Sequence, residues 1–402
     1  MFPVGAAATV EELAGSPYAL LATLREREPV SWVPARGGWL VTRYAEAVWV
    51  MRDPALFTVD DPRFSTAQVV GPSMLSLDGA EHRRHRGPFA RAFRPAEVRA
   101  RFGGFVDAEA ARLVAALAPR GAGELRRGLA GPLAVAVVGN VLGLADARVE
   151  AVLAWYDAIV GAVSAMSAGE AMDPAGTRAF GQLSAGVRAT IARRGESLLV
   201  DAVGLDVDEV VSNAAVMMFG GIETTEGMIT NAVAHLLAGP GGLAEVRADA
   251  VLLDSAIEES LRLEPAAAVV DRYATQDVAL AGASIRRGDL VTVSITAANR
   301  DPAVFADPDT FDIRRPNARQ HLAFAHGPHV CLAAELARLE TRSAITALAE
   351  GLPGLRLDPD APPAPTGLVF RKPAALHTRW DKEFTTPTGR SWLRRSPRRG
   401  SP

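Results

Sequence analysis

The chain has 402 residues, 49% hydrophobic and 22% charged, proportions that belong to a globular protein with a sizeable core and exclude a disordered or collagen-like chain. Forty-three basic against 46 acidic side chains leave a net charge of −3, without the basic excess of a nucleic-acid binder. The most apolar stretch, 130–145, is broken by Gly131, Pro132, Gly139 and Asn140 and falls short of the roughly 20 residues of a membrane span. Glu11 and Glu12 interrupt the first thirty residues, and no basic run precedes an apolar one, so no secretory signal is expected and the expected location is cytoplasmic.

In chain order, Val30–Val33 and Trp39–Val41 flank Arg36-Gly37-Gly38 and read as a β-hairpin. A helix over Tyr44–Met51 should stop at Asp53-Pro54. Residues 58–80 read as irregular. Apolar residues at helical spacing predict helices over 95–118, 130–144, 149–166, 178–194, 207–238, 242–263 and 332–351, whereas 279–295 alternates like short strands. No fixed-period repeat or flexible linker divides the chain. The expected fold is mainly α with small β-sheets: one large helical domain over 1–380 and a basic, flexible tail over 381–402.

Cys331 is the one cysteine, which excludes an intramolecular disulfide and any site built from several cysteines. Its loop, Phe324-Ala325-His326-Gly327-Pro328-His329-Val330-Cys331, runs directly into a helical pattern. Unpaired N–H groups and the positive dipole end favour a metal-ligating thiolate at such a place, although a lone cysteine is more often an inert apolar side chain. Glu259 and Arg262 are three apart and share a helix face. Gly220-Gly221-Ile222-Glu223-Thr224-Thr225 places two glycines and two threonines in mid-helix, at a propensity cost of about 2 kcal/mol; small residues there let a flat ligand approach the backbone, and an acid beside an alcohol can relay protons. His82-Arg83-Arg84-His85-Arg86 is by itself an ordinary solvated basic run. Lysine occurs only at 372 and 382, a composition bias given no chemical meaning.

The cysteine loop resembles the haem-binding loop of the cytochrome P-450 family, with Phe324, Gly327, His329 and Cys331 at the family's spacing. Ala325 and Ala333 stand where the family usually has glycine, and Ala325 falls at a tight turn that calls for positive φ. The resemblance, over roughly residues 15–380, implies that Cys331 is the metal ligand of haem b. It further implies that His82, Arg86, Arg272 and His329 face the propionates and that Gly220 and Gly221 border the cofactor. Glu223 and Thr224 become the catalytic acid and alcohol, and Glu259 with Arg262 a buried structural pair. The family's third basic residue in that network is replaced by Thr310, which puts the three-residue arrangement in question.

The implied activity is a haem-thiolate monooxygenase that inserts one atom of O₂ into a small hydrophobic or amphipathic substrate, such as a secondary metabolite. A ferredoxin-type carrier and its reductase would supply electrons, because no flavin, nicotinamide or iron–sulfur fingerprint is present. Arg314, Arg315, Arg319 and Arg338 would offer that carrier a basic surface. Phe64, Val69, Val70, Met74 and Met166 are candidate substrate contacts. The alternatives are a peroxide-using or redox-neutral haem-thiolate enzyme and a non-catalytic haem sensor.

Overall fold

The computed structural model describes residues 2–144, 149–167, 173–193, 197–200, 202–239, 241–247 and 249–382. Three short helices open the chain: α1 (Pro3–Ala7), α2 (Val10–Ala14) and α3 (Tyr18–Arg27). Strands β1 (Val30–Val33) and β2 (Gly38–Val41) pair antiparallel as the predicted hairpin. Its turn closes on Gly37, whose φ of 62° suits a residue without Cβ. Helix α4 (Tyr44–Arg52) ends before Pro54 as expected, and β3 (Phe57–Thr58) follows.

The stretch read as irregular holds a helix, α5 (Ser65–Val70), and the basic run lies on α6 (Gly79–Ala90). Helix α7 (Pro95–Leu117) leads through the short β4 (Ala122–Glu124) to α8 (Gly131–Val141), then α9 (Val149–Ser167), α10 (Pro174–Arg193) and the 32-residue α11 (Val207–Ala238). Asp206 caps α11: it accepts from the Glu209 N–H while the Glu209 carboxylate accepts from the Asp206 N–H. The predicted helix 242–263 is two helices, α12 (Gly242–Arg247) and α13 (Ala250–Leu263). Asp249 between them accepts from the Val251 and Leu252 N–H groups and restarts the helix.

The main sheet has the order β1-β2-β8-β5-β3, with β5 (Val269–Ala274) and β8 (Leu290–Ser294) antiparallel. The hairpin β6 (Val278–Leu280) and β7 (Ala283–Ile285) lies between them in sequence. Helices α14 (Ile295–Ala298) and α15 (Ala334–Gly351) follow. The chain returns through β9 (Arg356–Leu357), β10 (Pro365–Thr366), β11 (Lys372–Pro373) and β12 (His377–Arg379), which pairs with β4.

The largest apolar cluster joins α7, α8, α11, α13 and α15, while a smaller one fills the sheet side around Val291, Val293 and Met51. Of the expected tail, Asp381 still belongs to the folded body, its N–H donating to the Pro353 carbonyl at 2.8 Å; residues 383–402 lie outside the described residues. No helix among the described residues is long and apolar enough to cross a membrane.

Candidate active site

Between α11 and the loop before α15 lies a cavity of about 280 Å³, bordered by Cys331, Phe324, His329, Arg86, Gly220 and Thr224 among others. The Cys331 loop is locked at several points. The Cys331 N–H donates to the Phe324 carbonyl at 2.8 Å and the Ala325 N–H to Leu322 at 2.8 Å. Ala325 takes φ 59°, the left-handed conformation its position required in the sequence reading. Gly327 has φ 74°, and a Cβ there would lie 2.5 Å from the Met51 carbonyl oxygen, so this turn is packed directly against α4. Cys331 itself precedes α15 by three residues and is among the residues that line the cavity. Burial within the protein pushes its thiol up, against the pull of the Ala333 N–H, Arg86 and Arg338.

The four expected cradle residues come together from three places in the chain. His82 and Arg86 lie one turn apart on α6, Arg272 on β5 and His329 in the loop. The His82 and His329 rings are 4.3 Å apart, and Arg86 Nη2 donates to the Val330 carbonyl at 2.7 Å. Asp78 is the acid bonded to this group, its Oδ1 lying 2.8 Å from His329 Nε2. Burial opposes its ionisation, but hydrogen bonds from His329, Thr58 and the Val59 N–H hold it down to about 2. Burial, aided by the neighbouring His329 and Arg86, pushes His82 down to about 4, and burial lowers Arg272 to about 10. His82 Nε2 is buried with no partner among the described residues. Two arginines and two histidines against the one carboxylate of Asp78, with a buried ring nitrogen left unpaired, suit an anionic ligand.

On α11 the expected residues divide. A Cβ on Gly220 would meet nothing within 4 Å, but one on Gly221 would lie 2.7 Å from Val138 Cγ2; the first glycine leaves space and the second lets α8 approach. Thr224 borders the cavity, and its hydroxyl donates to the Gly220 carbonyl at 2.5 Å. Glu223 does not line the cavity: its Oε1 lies 2.7 Å from Lys372 Nζ, and the same ammonium reaches Glu226. Lys372, like Asp78, contacts an expected site residue and was passed over by sequence reasoning. Its rarity was visible, but a partner 149 positions away was not.

Glu259 and Arg262 pair bidentately at 2.7 and 2.8 Å with both side chains fully buried. The network nevertheless has a third member, because Arg315 Nε lies 3.0 and 3.1 Å from the two Glu259 oxygens. Thr310 contributes its carbonyl, accepting from Arg262 and Arg315 at 3.1 Å each. Arg315 is therefore buried and no part of a basic surface. Arg338 is committed to Glu258 at 2.6 Å, its guanidinium 4.6 Å over the Phe324 ring. Arg314 pairs with Glu245 at 2.6 Å, and Arg319 is exposed. Of the candidate substrate contacts, Met74 borders the cavity, Val69 and Val70 are buried in the helical core, Phe64 is not among the lining residues, and the Met166 side chain lies outside the described residues.

Comparison with known proteins supplies the frame for this geometry. The family model for cytochrome P450 matches residues 187–350. The cytochrome P450 monooxygenase PikC of Streptomyces venezuelae is 36% identical over 368 residues, covering 87% of this chain and 86% of its own length. The chain belongs to the cytochrome P450 family. Nocardicin C N-oxygenase of Nocardia uniformis subsp. tsuyamanensis is 34% identical, with 91% of this chain and 97% of that protein covered. The crystal structure of CalO2 superposes with a TM-score of 0.84 at 31% identity, over 93% of this chain and 99% of that one. As a cytochrome P450 the protein is a haem-thiolate monooxygenase, an oxidoreductase whose cofactor is haem b.

Proposed function

We propose that residues 1–380 form one haem domain, that Cys331 supplies the thiolate to the iron, and that the enzyme oxygenates a small hydrophobic or amphipathic compound, a secondary metabolite. The observation that carries this reading is the position of Cys331 in a locked loop that borders an apolar cavity, beside a cluster of two arginines and two histidines in which His82 Nε2 has no partner among the described residues. His82, Arg86, Arg272 and His329 would hold the propionates; Phe324 and Gly327 shape the loop; Gly220 and Gly221 border the cofactor. Haem, when bound, supplies O₂ activation.

The remaining chemistry belongs to the chain. Apolar walls that include Met74, Leu75, Val216, Met217 and Ala267 desolvate and orient the substrate. Thr224 holds a proton at Oγ1, donated to the Gly220 carbonyl at the border of the cavity, and Glu223 would replenish it on release from Lys372. Bacterial enzymes of this kind use redox partners; for this chain we infer a ferredoxin-type carrier with its reductase, in the cytoplasm, and exposed Arg319 is a candidate contact. Thr224→Ala tests the relay: consumed reductant should be diverted into peroxide or water with little change in substrate affinity. Full coupling in that variant would overturn the role and favour a peroxide-using enzyme.

A further inference from the structure

Residues 71–76, between α5 and α6, form a turn held by its own serines: the Ser73 N–H donates to Ser76 Oγ at 3.1 Å and the Ser76 N–H to the Ser73 carbonyl at 3.1 Å. The Met74 N–H leaves the segment and donates to Asn213 Oδ1, on α11, at 2.9 Å. Asn213 is fully buried, and its Nδ2 lies 2.8 Å from the Glu209 carbonyl and 3.0 Å from Nδ1 of His85, a buried histidine on α6.

The donor count assigns the roles. Oδ1 is taken by Met74, so Nδ2 donates both its hydrogens, one of them to His85 Nδ1, while His85 Nε2 lies 3.3 Å from Arg84 Nη2 and 3.5 Å from Glu209 Oε1. Glu209 is itself fixed, by Arg84 at 2.5 Å and by the Asp206 cap. Asn213 thus uses its oxygen and both amide hydrogens and joins α6, α11 and the 71–76 segment at one amide. Met74 and Leu75 border the cavity, as do Val216 and Met217 one turn beyond Asn213.

We propose that Asn213 is a specificity-determining positioning residue: its amide locks the Met74–Leu75 wall to the Val216–Met217 wall and so sets the room a bound molecule finds between them. This rests on the reading of the cavity as the substrate's place above the cofactor. His85 and Glu209 act through Asn213 by leaving its amide one orientation.

The test uses the purified haem-loaded enzyme and its Asn213→Ala and His85→Phe variants, each checked for fold by circular dichroism. Hydrogen exchange over 71–77 should quicken by about tenfold in Asn213→Ala, the effect of one lost buried hydrogen bond, and by less in His85→Phe. Spectral titration then compares imidazole with the larger phenylimidazole. The ratio of the two affinities should change about fivefold or more, with imidazole affinity held within about twofold. An unchanged ratio, or equal changes for both ligands, overturns the proposal even where exchange has quickened. Should Asn213→Ala not fold, His85→Phe carries the same test, and an unchanged exchange and ratio there overturns it. Failure of imidazole to perturb the wild-type spectrum at all would instead strike at the cofactor reading itself.

Discussion

Ala325 carries a left-handed φ of 59° in the turn before Cys331, at a position where a side chain costs energy. A left-handed conformation costs an L-residue roughly 1 kcal/mol relative to glycine, so Ala325→Gly is expected to raise thermal stability by about that amount, less the entropy of a freer unfolded chain. An unchanged or lower melting temperature would show that the turn is not strained there. Gly327 gives the opposite case, since its missing Cβ is the space occupied by the Met51 backbone. Among the bases, arginine binds a carboxylate through two parallel bonds and keeps its charge, while burial pushes both His82 and His329 toward the neutral form. Arg272→Ala or Arg86→Ala should therefore loosen haem more than His82→Ala, as read by transfer to a strong acceptor at neutral pH; equal retention in both arginine variants and the wild type would remove those residues from the cofactor's site. At this scale the reading rested on the resemblance, since the residues alone left Cys331 and the basic run of α6 with ordinary structural roles. Lys372 and the orientation of Glu223 were not legible, since they depend on where β11 returns against α11.

Single elements were read where periodicity is strong and lost where a cap or a distant partner decides. The break between α12 and α13 turns on one side chain, Asp249, inside a pattern that stays apolar at helical spacing on both sides. Helix α5 is six residues long and too short for a period to declare itself. The network around Glu259 shows the same limit in its chemistry: Thr310 looked like the loss of the third base, yet the chain supplies it five residues later. Arg315 also donates to the Ala306 and Asp307 carbonyls at 2.5 and 3.1 Å, so it binds that loop to α13. Removing one partner from a buried charged cluster costs about 3 kcal/mol, and Arg315→Ala should lose that order of stability in denaturant melts. A loss within the range of exposed pairs, below about 1 kcal/mol, would show that Arg262 alone satisfies Glu259.

Across the molecule, a second buried carboxylate ties the cysteine side together. Glu258 on α13 meets His321 at 3.0 Å and Arg338 of α15 at 2.6 Å. Burial opposes its charge, but the bonds from His321 and Arg338 hold it at about 2, below the ordinary 4.5. A carboxylate with a lowered folded-state pKa contributes stability that is complete above its unfolded pKa and is lost as pH falls through the folded one. The stability difference between wild type and Glu258→Gln should accordingly shrink as pH falls from about 4.5 toward 2, and a constant difference would contradict the pairing. The fold class and the helical middle were legible in composition and periodicity, whereas the order of the main sheet, in which β2 lies beside β8 some 250 residues later, is a long-range pairing that no local pattern encodes. The proposed function turns on one sulfur, that of Cys331. The most direct measurement is the absorption of the reduced enzyme with carbon monoxide, for wild type and Cys331→Ser at equal helical content. The thiolate assignment predicts a strongly red-shifted band in the wild type that is lost in the variant; the same band in both would contradict it.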